Sequence, residues 1–267
     1  MRIELSGKRV LVTGSSQGIG LAIVEQLVSA GAEAVGVNGR SSGSVDRAIE
    51  EVRSAVPDGP TTLVPVVADV ATDEGFALAV EAMAEVDVLV NNLGIFESRP
   101  ALEITDDEWR RFFEVNVLAG VRLTRHHLPR MVERGWGRVL YVASDSAVVT
   151  PVEMIHYGVS KTALLAVSRG FAKEAAGTGV TVNSVIAGPT HTGGVEDFVR
   201  SLVGDDLPWE DAQREFMREH RPQSLLQRLI EPSEIAAMVA YLSSPLASAT
   251  TGGAVRVDGG YVDAILP

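Results

Sequence analysis

The residues best suited to chemistry are Ser144, Tyr157 and Lys161. On a helix, Tyr157 and Lys161 would lie on one face, one turn from each other. Apolar residues at helical spacing follow the lysine and predict that helix. A phenol has an unperturbed pKa near about 10, and a neighbouring ammonium lowers it by favouring the phenolate. In a cleft this pair predicts a general acid/base, whereas on the surface it would be an ordinary helix pair.

Ser144 comes directly after 137–143, a run that is typical of a buried strand. Ligands of open α/β sheets bind beyond the C-terminal ends of the strands. We therefore expect the loop after Ser144 to fold back, so that the hydroxyls of Ser144 and Tyr157 meet. The alternative is that the serine is only a turn residue.

A glycine-rich turn near the N-terminus predicts a nucleotide site. Residues 9–13 predict a short buried strand, 14–20 follow the pattern G-x-x-x-G-x-G, and an apolar helical stretch comes next. Such a turn points backbone N–H groups and a helix N-terminus at a pyrophosphate, and glycines allow the close approach. The alternative is a plain strand-to-helix turn.

The second predicted strand, within 31–37, runs into Arg40. A dinucleotide fold meets the adenosine ribose at this strand end. No acidic residue stands there to bind a free 2′-hydroxyl, and Arg40 could bond a 2′-phosphate, which favours NADP(H) over NAD(H). A solvated loop arginine is the alternative.

A helix at about 45–55 and a turn at 57–60 lead to the third strand. Pro65 places that strand at or near an edge of the sheet, because proline cannot donate to the ladder. The strand ends at Asp69, which is expected to contact the adenine, to cap the next helix, or both.

The fourth strand, 86–90, ends at a pair of asparagines followed by Gly94, where backbone could approach a ligand closely. Asn91 could hold the strand end through backbone bonds. Farther on, Asn116 lies in a long apolar helical stretch that reaches Met131. A buried asparagine there is either a satisfied core amide or a polar group directed at the region of Lys161.

Composition narrows the classes of function. The net charge of −12 argues against nucleic acid or an anionic membrane as a partner. The absence of cysteine removes disulfides, thiol nucleophiles and cysteine-ligated zinc, and the five histidines show no metal-ligand spacing. The first residues contain no secretory h-region, and no apolar run approaches the roughly 20 residues of a membrane span. We expect a cytoplasmic protein without a metal.

Strands and helices alternate throughout and predict an α/β fold, a doubly wound, seven-stranded parallel sheet with helices on both faces. We expect one dinucleotide-binding catalytic domain over 1–267. Within it, the acidic and irregular segment at about 193–221 would be a mobile cover over the site, or simply a surface insertion.

Taken together and in this order, the motifs resemble the short-chain dehydrogenase/reductase family over nearly the whole chain. The resemblance implies a Rossmann-type fold, an NADP- or NAD-dependent oxidoreductase acting on a carbonyl or an alcohol, and a homo-oligomer, either tetramer or dimer. It depends on these residues: Thr13, Gly14, Gly18, Gly20, Asp69, Asn91, Asn92, Gly94, Asn116, Ser144, Tyr157, Lys161, Asn183, Gly188, Thr192 and 257–260.

The resemblance also assigns roles. Tyr157 would be the acid/base, Lys161 would assist it and hold the nicotinamide ribose, Ser144 would polarise the carbonyl, and Asn116 would position a water. The expected cofactor-binding residues are Gly14, Ser16, Gln17, Gly18, Ile19, Gly20, Arg40, Asp69, Val70, Asn92, Gly94, Tyr157, Lys161, Gly188, Thr190 and Thr192. The expected contacts of a small-molecule substrate are Phe96, Met154, His156 and His191.

Three residues depart from the family pattern. Leu93 replaces the usual alanine, Ala187 replaces a proline, and Gln17 stands where NADP-preferring members often carry a basic residue. The expectation of NADP(H) therefore depends on Arg40. Two other functions stay open: a 3-oxoacyl thioester reductase, which would need a basic face for an acidic carrier protein, and a non-catalytic NADPH-binding regulator.

Overall fold

The fold was analysed in a computed structural model that describes residues 3–57 and 60–265. The centre of the predicted turn at 57–60 lies outside these residues. Within the described part of the chain, the β-branched runs form one seven-stranded sheet in which every pairing is parallel. The strands are β1 Arg9–Val12, β2 Ala34–Gly39, β3 Thr62–Val67, β4 Val88–Asn91, β5 Gly137–Ser144, β6 Val180–Ala187 and β7 Ala254–Val257.

The strand order is β3-β2-β1-β4-β5-β6-β7, which confirms the predicted doubly wound sheet. The chain starts at β1, winds outward to β3, and then returns to β4 on the other side of β1. Ligands of such sheets bind where the winding reverses, beyond the C-terminal ends of these strands. Pro65 lies in β3 at the edge of the sheet, as predicted.

Helices connect the strands. They are α1 Gly18–Ser29, α2 Ser42–Ala55, α3 Asp73–Ala82, α4 Asp106–Phe113, α5 Ala119–Glu133, α6 Ile155–Glu174, α7 Gly193–Val203, α8 Trp209–His220 and α9 Pro232–Ser243. A π-helical turn, Glu114–Leu118, joins α4 to α5 into the long helical stretch that the sequence predicts. Over the described residues, no helix is at once long and apolar enough to span a lipid bilayer.

Two apolar layers enclose the sheet, because alternate residues of each strand point to opposite faces. Val10 of β1 and Val35 of β2 pack with α1, α2 and α9 on one face. Leu11 and Leu89 pack with α3, α5 and α6 on the other. The central strands are thus buried on both faces and held rigidly, so their C-terminal ends form a fixed platform for a site.

Two local expectations were inaccurate. Helix α2 begins at Ser42, earlier than predicted, because the side chain of Ser41 caps it by accepting a hydrogen bond from the backbone N–H of Ser44. The segment 193–221 is not irregular: it contains α7 and α8, which pack on each other through Val199 and Phe216.

Candidate active site

Helix α6 places Tyr157 and Lys161 one turn apart, as the spacing predicts. Tyr157 is half-buried, and Lys161 is only 5% exposed. The lysine Nζ lies 5.6 Å from the centroid of the tyrosine ring and donates a hydrogen bond to the backbone oxygen of Val142 in β5, at 2.9 Å. The helix therefore holds a phenol and an ammonium together against the C-terminal end of β5.

Burial sets the proton affinities of this pair. It raises the pKa of the Tyr157 phenol to about 12, although interaction with the Ser144 hydroxyl works against the rise. It lowers the pKa of the Lys161 ammonium to about 8. The predicted direction, a pKa of the phenol lowered by the lysine, is wrong for this structure, because burial and the neighbouring Asp145 carboxylate raise that pKa. At neutral pH the phenol is protonated, which is the form that can donate a proton.

Ser144 ends β5 and faces the same cavity as Tyr157. Its Oγ donates to Oδ1 of Asp145 at 2.8 Å and accepts from the backbone N–H of Ser146 at 3.2 Å. Ser144 therefore stabilises the turn after β5, as the alternative interpretation expects, and it also lines the cavity. Asp145, which the sequence analysis did not single out, is buried, and its burial raises the pKa of its carboxyl group.

Asn116 lies in the π-helical turn, and both polar atoms of its side-chain amide are hydrogen-bonded within the protein. Its Oδ1 accepts from the backbone N–H of Ile95 at 2.8 Å, and its Nδ2 donates to the Ile95 oxygen at 3.0 Å and to Oγ of Ser160 at 2.9 Å. This is the satisfied core amide, placed so that it joins the loop after β4 to α6. Gly94 lies beside it, and a Cβ there would stand 3.1 Å from Nζ of Lys161.

The glycine turn after β1 borders a groove of about 910 Å³. Gly14 and Gly18 adopt φ of +60° and +57°, which L side chains rarely tolerate. A Cβ on Gly20 would stand 2.4 Å from the backbone oxygen of Gly14, so α1 can approach the turn only because that residue is glycine. The groove is lined by these expected cofactor residues: Gly14, Ser16, Gln17, Gly18, Ile19, Gly20, Arg40, Asp69, Val70, Asn92, Gly94 and Thr192.

Arg40 follows β2 at the rim of this groove and is exposed. The hydroxyl of Ser16 lies close by, since a Cβ on Gly39 would meet the Ser16 Oγ at 3.2 Å. Asp69 also borders the groove, but it does not cap α3; Thr72 does, by accepting from the backbone N–H of Gly75.

An asparagine in β2 that was not among the expected site residues fixes the glycine turn to the sheet. Asn38, buried in β2, accepts from the Gly14 N–H at 3.0 Å and donates to the backbone oxygens of Val66 and Ala68. A polar residue at the end of a buried strand was the signal available for it.

Asn92, and not Asn91 as expected, holds the end of β4 through hydrogen bonds to the backbone. The Nδ2 of Asn92 donates to the backbone oxygens of Thr13 at 3.0 Å and Gly14 at 2.9 Å, which fastens the end of β4 to the glycine turn. Asn91 instead donates to Oγ1 of Thr124 on the other side of the strand.

A cavity of about 200 Å³ adjoins the groove at the C-terminal ends of β5 and β6. Ile19, Gly94 and Thr192 are among the residues that border both the groove and the cavity, so the two spaces are neighbours. The expected site residues that line the cavity are Ser144, Tyr157, Lys161, Gly188, Thr190, Phe96 and Met154. Gly188 is required for packing, because a Cβ there would stand 2.6 Å from the Cα of Asp258.

The structure does not bring the two expected histidines to this cavity. His156 is 1% exposed and points into the packing of α4, with its ring centroid 3.9 Å from that of Phe112. Burial lowers the pKa of this imidazole. His191 instead stacks on Trp209 of α8 at 5.0 Å and lies 3.5 Å from a carboxylate oxygen of Glu231. The expectation that these rings contact substrate is corrected accordingly.

The segment 193–221, expected to cover the site, contributes four walls of the cavity that were not among the expected site residues. Val195 and Phe198 of α7, Phe216 of α8, and Arg221 just after α8 all line the cavity. The helical spacing of apolar residues in this segment could have identified the first three. Among the described residues, no cluster of histidine, aspartate and glutamate is arranged to hold a metal ion.

Comparison with known proteins identifies the family. The sequence model of a family described as enoyl-(acyl carrier protein) reductase matches residues 14–262. An oxidoreductase of Bacillus subtilis, YvaG, is 48% identical over 99% of this chain and 100% of its own length. The chain belongs to the short-chain dehydrogenase/reductase family. It is an oxidoreductase of the class that acts on CH–OH or C=O groups.

Two further members of the family are informative. The L-sorbose reductase of Gluconobacter frateurii, solved with NADPH and L-sorbose, superposes with a TM-score of 0.91 at 31% identity, over 99% of this chain and 100% of that one. The 3-oxoacyl-[acyl-carrier-protein] reductase FabG of Salmonella typhimurium is 33% identical over 97% of this chain and 98% of its own length.

Proposed function

We propose that this protein is an NADP(H)-dependent oxidoreductase that interconverts a carbonyl and a secondary alcohol, with Tyr157 as the general acid/base. The observation that carries the proposal is that the groove at the glycine turn adjoins the cavity lined by Tyr157, Lys161 and Ser144, with several residues bordering both. A nucleotide bound along the groove would reach the phenol at that junction.

The groove fits a dinucleotide phosphate. The turn at 14–20 leaves space that side chains would fill and presents the N-terminus of α1 to a pyrophosphate. Arg40 and Ser16 at the rim would bind a 2′-phosphate through charge-assisted and hydroxyl hydrogen bonds. The complex of the related L-sorbose reductase with NADPH supports this choice, and NAD(H) remains the second candidate. When bound, the nicotinamide supplies or accepts the hydride.

The protein side chains would manage the proton. Tyr157, protonated at neutral pH, would donate its proton to the carbonyl oxygen and take it back in the oxidative direction. Ser144 would donate a hydrogen bond to the same oxygen and orient it. Lys161 would hold the ribose hydroxyls and return protons to the phenol, since a pKa of about 8 lets it exchange protons near neutrality. Asn116 would keep the loop after β4 against α6 and position a water beside Lys161.

The test is turnover by the Tyr157→Phe variant. We expect kcat for NADPH-dependent reduction of carbonyl compounds to fall by at least about 10²-fold, because the positioned proton donor is lost. The dissociation constant for NADPH should change little. Tyr241→Phe, which removes a hydroxyl from a half-buried ring on α9, is the matched control and should keep its rate. A Tyr157→Phe variant that retains most of its activity would refute the proposal.

Reduction of 3-oxoacyl thioesters is the second candidate, favoured by the similarity to FabG. Comparing a 3-oxoacyl thioester of pantetheine with the free ketone at equal NADPH concentration tests it. A large preference for the thioester in kcat/KM would make this the better assignment.

The wider organisation follows the same proposal. We infer that 1–267 act as one catalytic domain, with 193–221 covering the substrate cavity. Homo-oligomerisation, as tetramer or dimer, and a cytoplasmic location remain predictions that come from the family resemblance and the sequence. Sedimentation of the purified protein at micromolar concentration measures the first of these directly.

A further inference from the structure

A guanidinium reaches the substrate cavity from the cover. Arg221 lies at the C-terminal end of α8 and lines the same cavity as Tyr157 and Ser144. The remaining walls on that side are apolar, with Phe198 and Phe216 among them. Arg221 is half-buried, and a cation partly withdrawn from water beside aromatic rings is costly unless a partner compensates it.

The donors of Arg221 are underused. Its Nη1 donates to the backbone oxygen of His220 at 2.7 Å. Its Nε is buried and has no hydrogen-bond partner. Among residues 3–57 and 60–265, no carboxylate oxygen lies within 4.0 Å of this guanidinium. The arginine is therefore held by backbone and aromatic contacts rather than by an ion pair.

Two aromatic rings keep the side chain in place. The guanidinium carbon of Arg221 lies 5.3 Å from the ring centroid of Phe216 and 5.5 Å from that of Tyr261. Contacts of this kind stabilise a cation and restrict its motion without using up its N–H donors. The fork of donors is thus preorganised for an acceptor that the chain itself does not supply.

Asp145 interacts electrostatically with Arg221, whose charge opposes the rise that burial causes in the pKa of this carboxyl group, but the two side chains form no ion pair. Asp145 lines the cavity, and its Oδ1 accepts hydrogen bonds from Ser144 Oγ and from the Ser146 backbone. The other cation of the cavity, Lys161, donates to the Val142 backbone oxygen. Arg221 therefore keeps its Nε donor for a bound anion, while Asp145 influences it only through space.

We propose that Arg221 binds a carboxylate of the substrate, so that the enzyme acts on small carbonyl acids and the corresponding hydroxy acids. This inference rests on the proposed oxidoreductase function. Guanidinium and carboxylate match as a two-pronged pair of charge-assisted hydrogen bonds. The cavity of about 200 Å³ is smaller than typical drug-sized sites, which suits a compact acid with its carbonyl at Tyr157.

The test compares each acid with its own neutral ester. Reduction of 3-oxobutanoate and 4-oxopentanoate is measured against their methyl esters, with saturating NADPH, for the wild type, Arg221→Met and Arg221→Lys. Dihydroxyacetone phosphate and dihydroxyacetone form a phosphate arm. The matched control is Arg200→Met, because Arg200 lies on the same cover but pairs with Glu196 at 3.1 Å and lies outside the cavity.

We expect the wild type to prefer the acids. In Arg221→Met, kcat/KM for the acids should fall about 10- to 100-fold while the esters change less than about threefold. The kcat/KM of Arg221→Lys for the acids should lie between the values of the wild type and of Arg221→Met, and Arg200→Met should match the wild type. The rate with the esters also shows whether a variant is folded. If Arg221→Met reduces neither the acids nor the esters, Arg221→Lys decides, because a lower kcat/KM for the acids alone supports the proposal.

The failures are distinguishable. Equal rates for acids and esters in the wild type, or an equal loss for both in the Arg221 variants, would overturn the carboxylate assignment while leaving the proposed function intact. A preference confined to the phosphate arm would overturn it as well. If the wild type reduces none of these compounds, acid or neutral, the assignment of small carbonyl acids fails, whereas the proposed function is decided separately by the turnover of Tyr157→Phe with a broader set of carbonyl compounds.

Discussion

Lys161 carries its charge where water hardly reaches. Its ammonium has one protein acceptor, the backbone oxygen of Val142, and burial lowers its pKa from 10.5 to about 8. At about 1.36 kcal/mol per tenfold change in proton affinity, this difference corresponds to roughly 3 kcal/mol of stability given up below pH 8. Under the proposed function, this cost would be offset by the use of Lys161 as a proton source for Tyr157.

The cost predicts a pH-dependent stability difference between the wild type and Lys161→Met. Between pH 8 and 10 the native lysine is largely neutral while the unfolded one is still charged, so the unfolded state binds more protons and wild-type stability rises with pH. Methionine has no such dependence. We expect Lys161→Met to be inactive, to be more stable than the wild type at pH 7 by about 1–3 kcal/mol, and to lose that advantage progressively towards pH 10.

Urea unfolding at a series of pH values measures this difference. Tyr157, whose pKa is about 12 in the native protein, contributes as the unfolded phenol ionises at about pH 10, but it is present in both proteins and largely cancels in their difference. A stability difference that stays constant from pH 7 to pH 10 would show that the lysine is not desolvated as the structure indicates.

At the scale of elements, the site is assembled by contacts between secondary-structure units. The π-helical turn between α4 and α5 turns Asn116 towards the loop after β4 and towards α6. Extra-wide turns of this kind often occur at functional sites, because they redirect one side chain out of the regular helical pattern. Here the redirected amide links three elements around Lys161.

Removing that amide should loosen all three elements at once. Asn116→Ala leaves the Ile95 backbone groups and Ser160 without their partner in a buried region, and we expect a loss of about 2–4 kcal/mol in unfolding free energy together with lower kcat. Ser168→Ala on α6 is the control, because its buried hydroxyl has no hydrogen-bond partner and its removal should be nearly neutral. Denaturant unfolding and steady-state kinetics measure both effects; equal stability of the two variants would contradict the linking role.

The features that the sequence could predict are those encoded by residues close together in the chain. The strand–turn–helix pattern at 9–20 and the spacing of Tyr157 and Lys161 are encoded within a few residues, so the sheet and the pair were both predictable. The orientation of His156 towards Phe112 depends on how α4 packs on α6, which no local pattern contains. The same holds for Arg221, whose position in the cavity is set by the packing of the cover.

At the scale of the whole molecule, the nucleotide groove ties ligand affinity to stability. The groove is lined by the turn after β1 and by residues at the ends of β2, β3 and β4. A ligand that binds there therefore stabilises the entire native sheet by mass action. Arg40 is the charged groove residue directly after β2, where the proposed function places a 2′-phosphate.

We expect NADPH to raise the melting temperature more than an equal concentration of NADH does. Arg40→Ala should weaken NADPH binding by about 10- to 100-fold and bring the two shifts together, because a charge-assisted contact is lost. Arg47→Ala, an exposed arginine on α2 away from the groove, should behave as the wild type. Thermal denaturation with each cofactor measures the shifts, and an unchanged preference in Arg40→Ala would remove the 2′-phosphate role.

The two flanks of the sheet are unlike each other. Strand β3 closes one flank and contains Pro65, which has no N–H to offer to an incoming strand, whereas β7 on the opposite flank contains no proline. Edge strands are where unwanted growth by recruitment of a further polypeptide begins. Pro65 therefore opposes the pairing of a further strand with β3, so β7 is the edge at which an added strand would pair more readily.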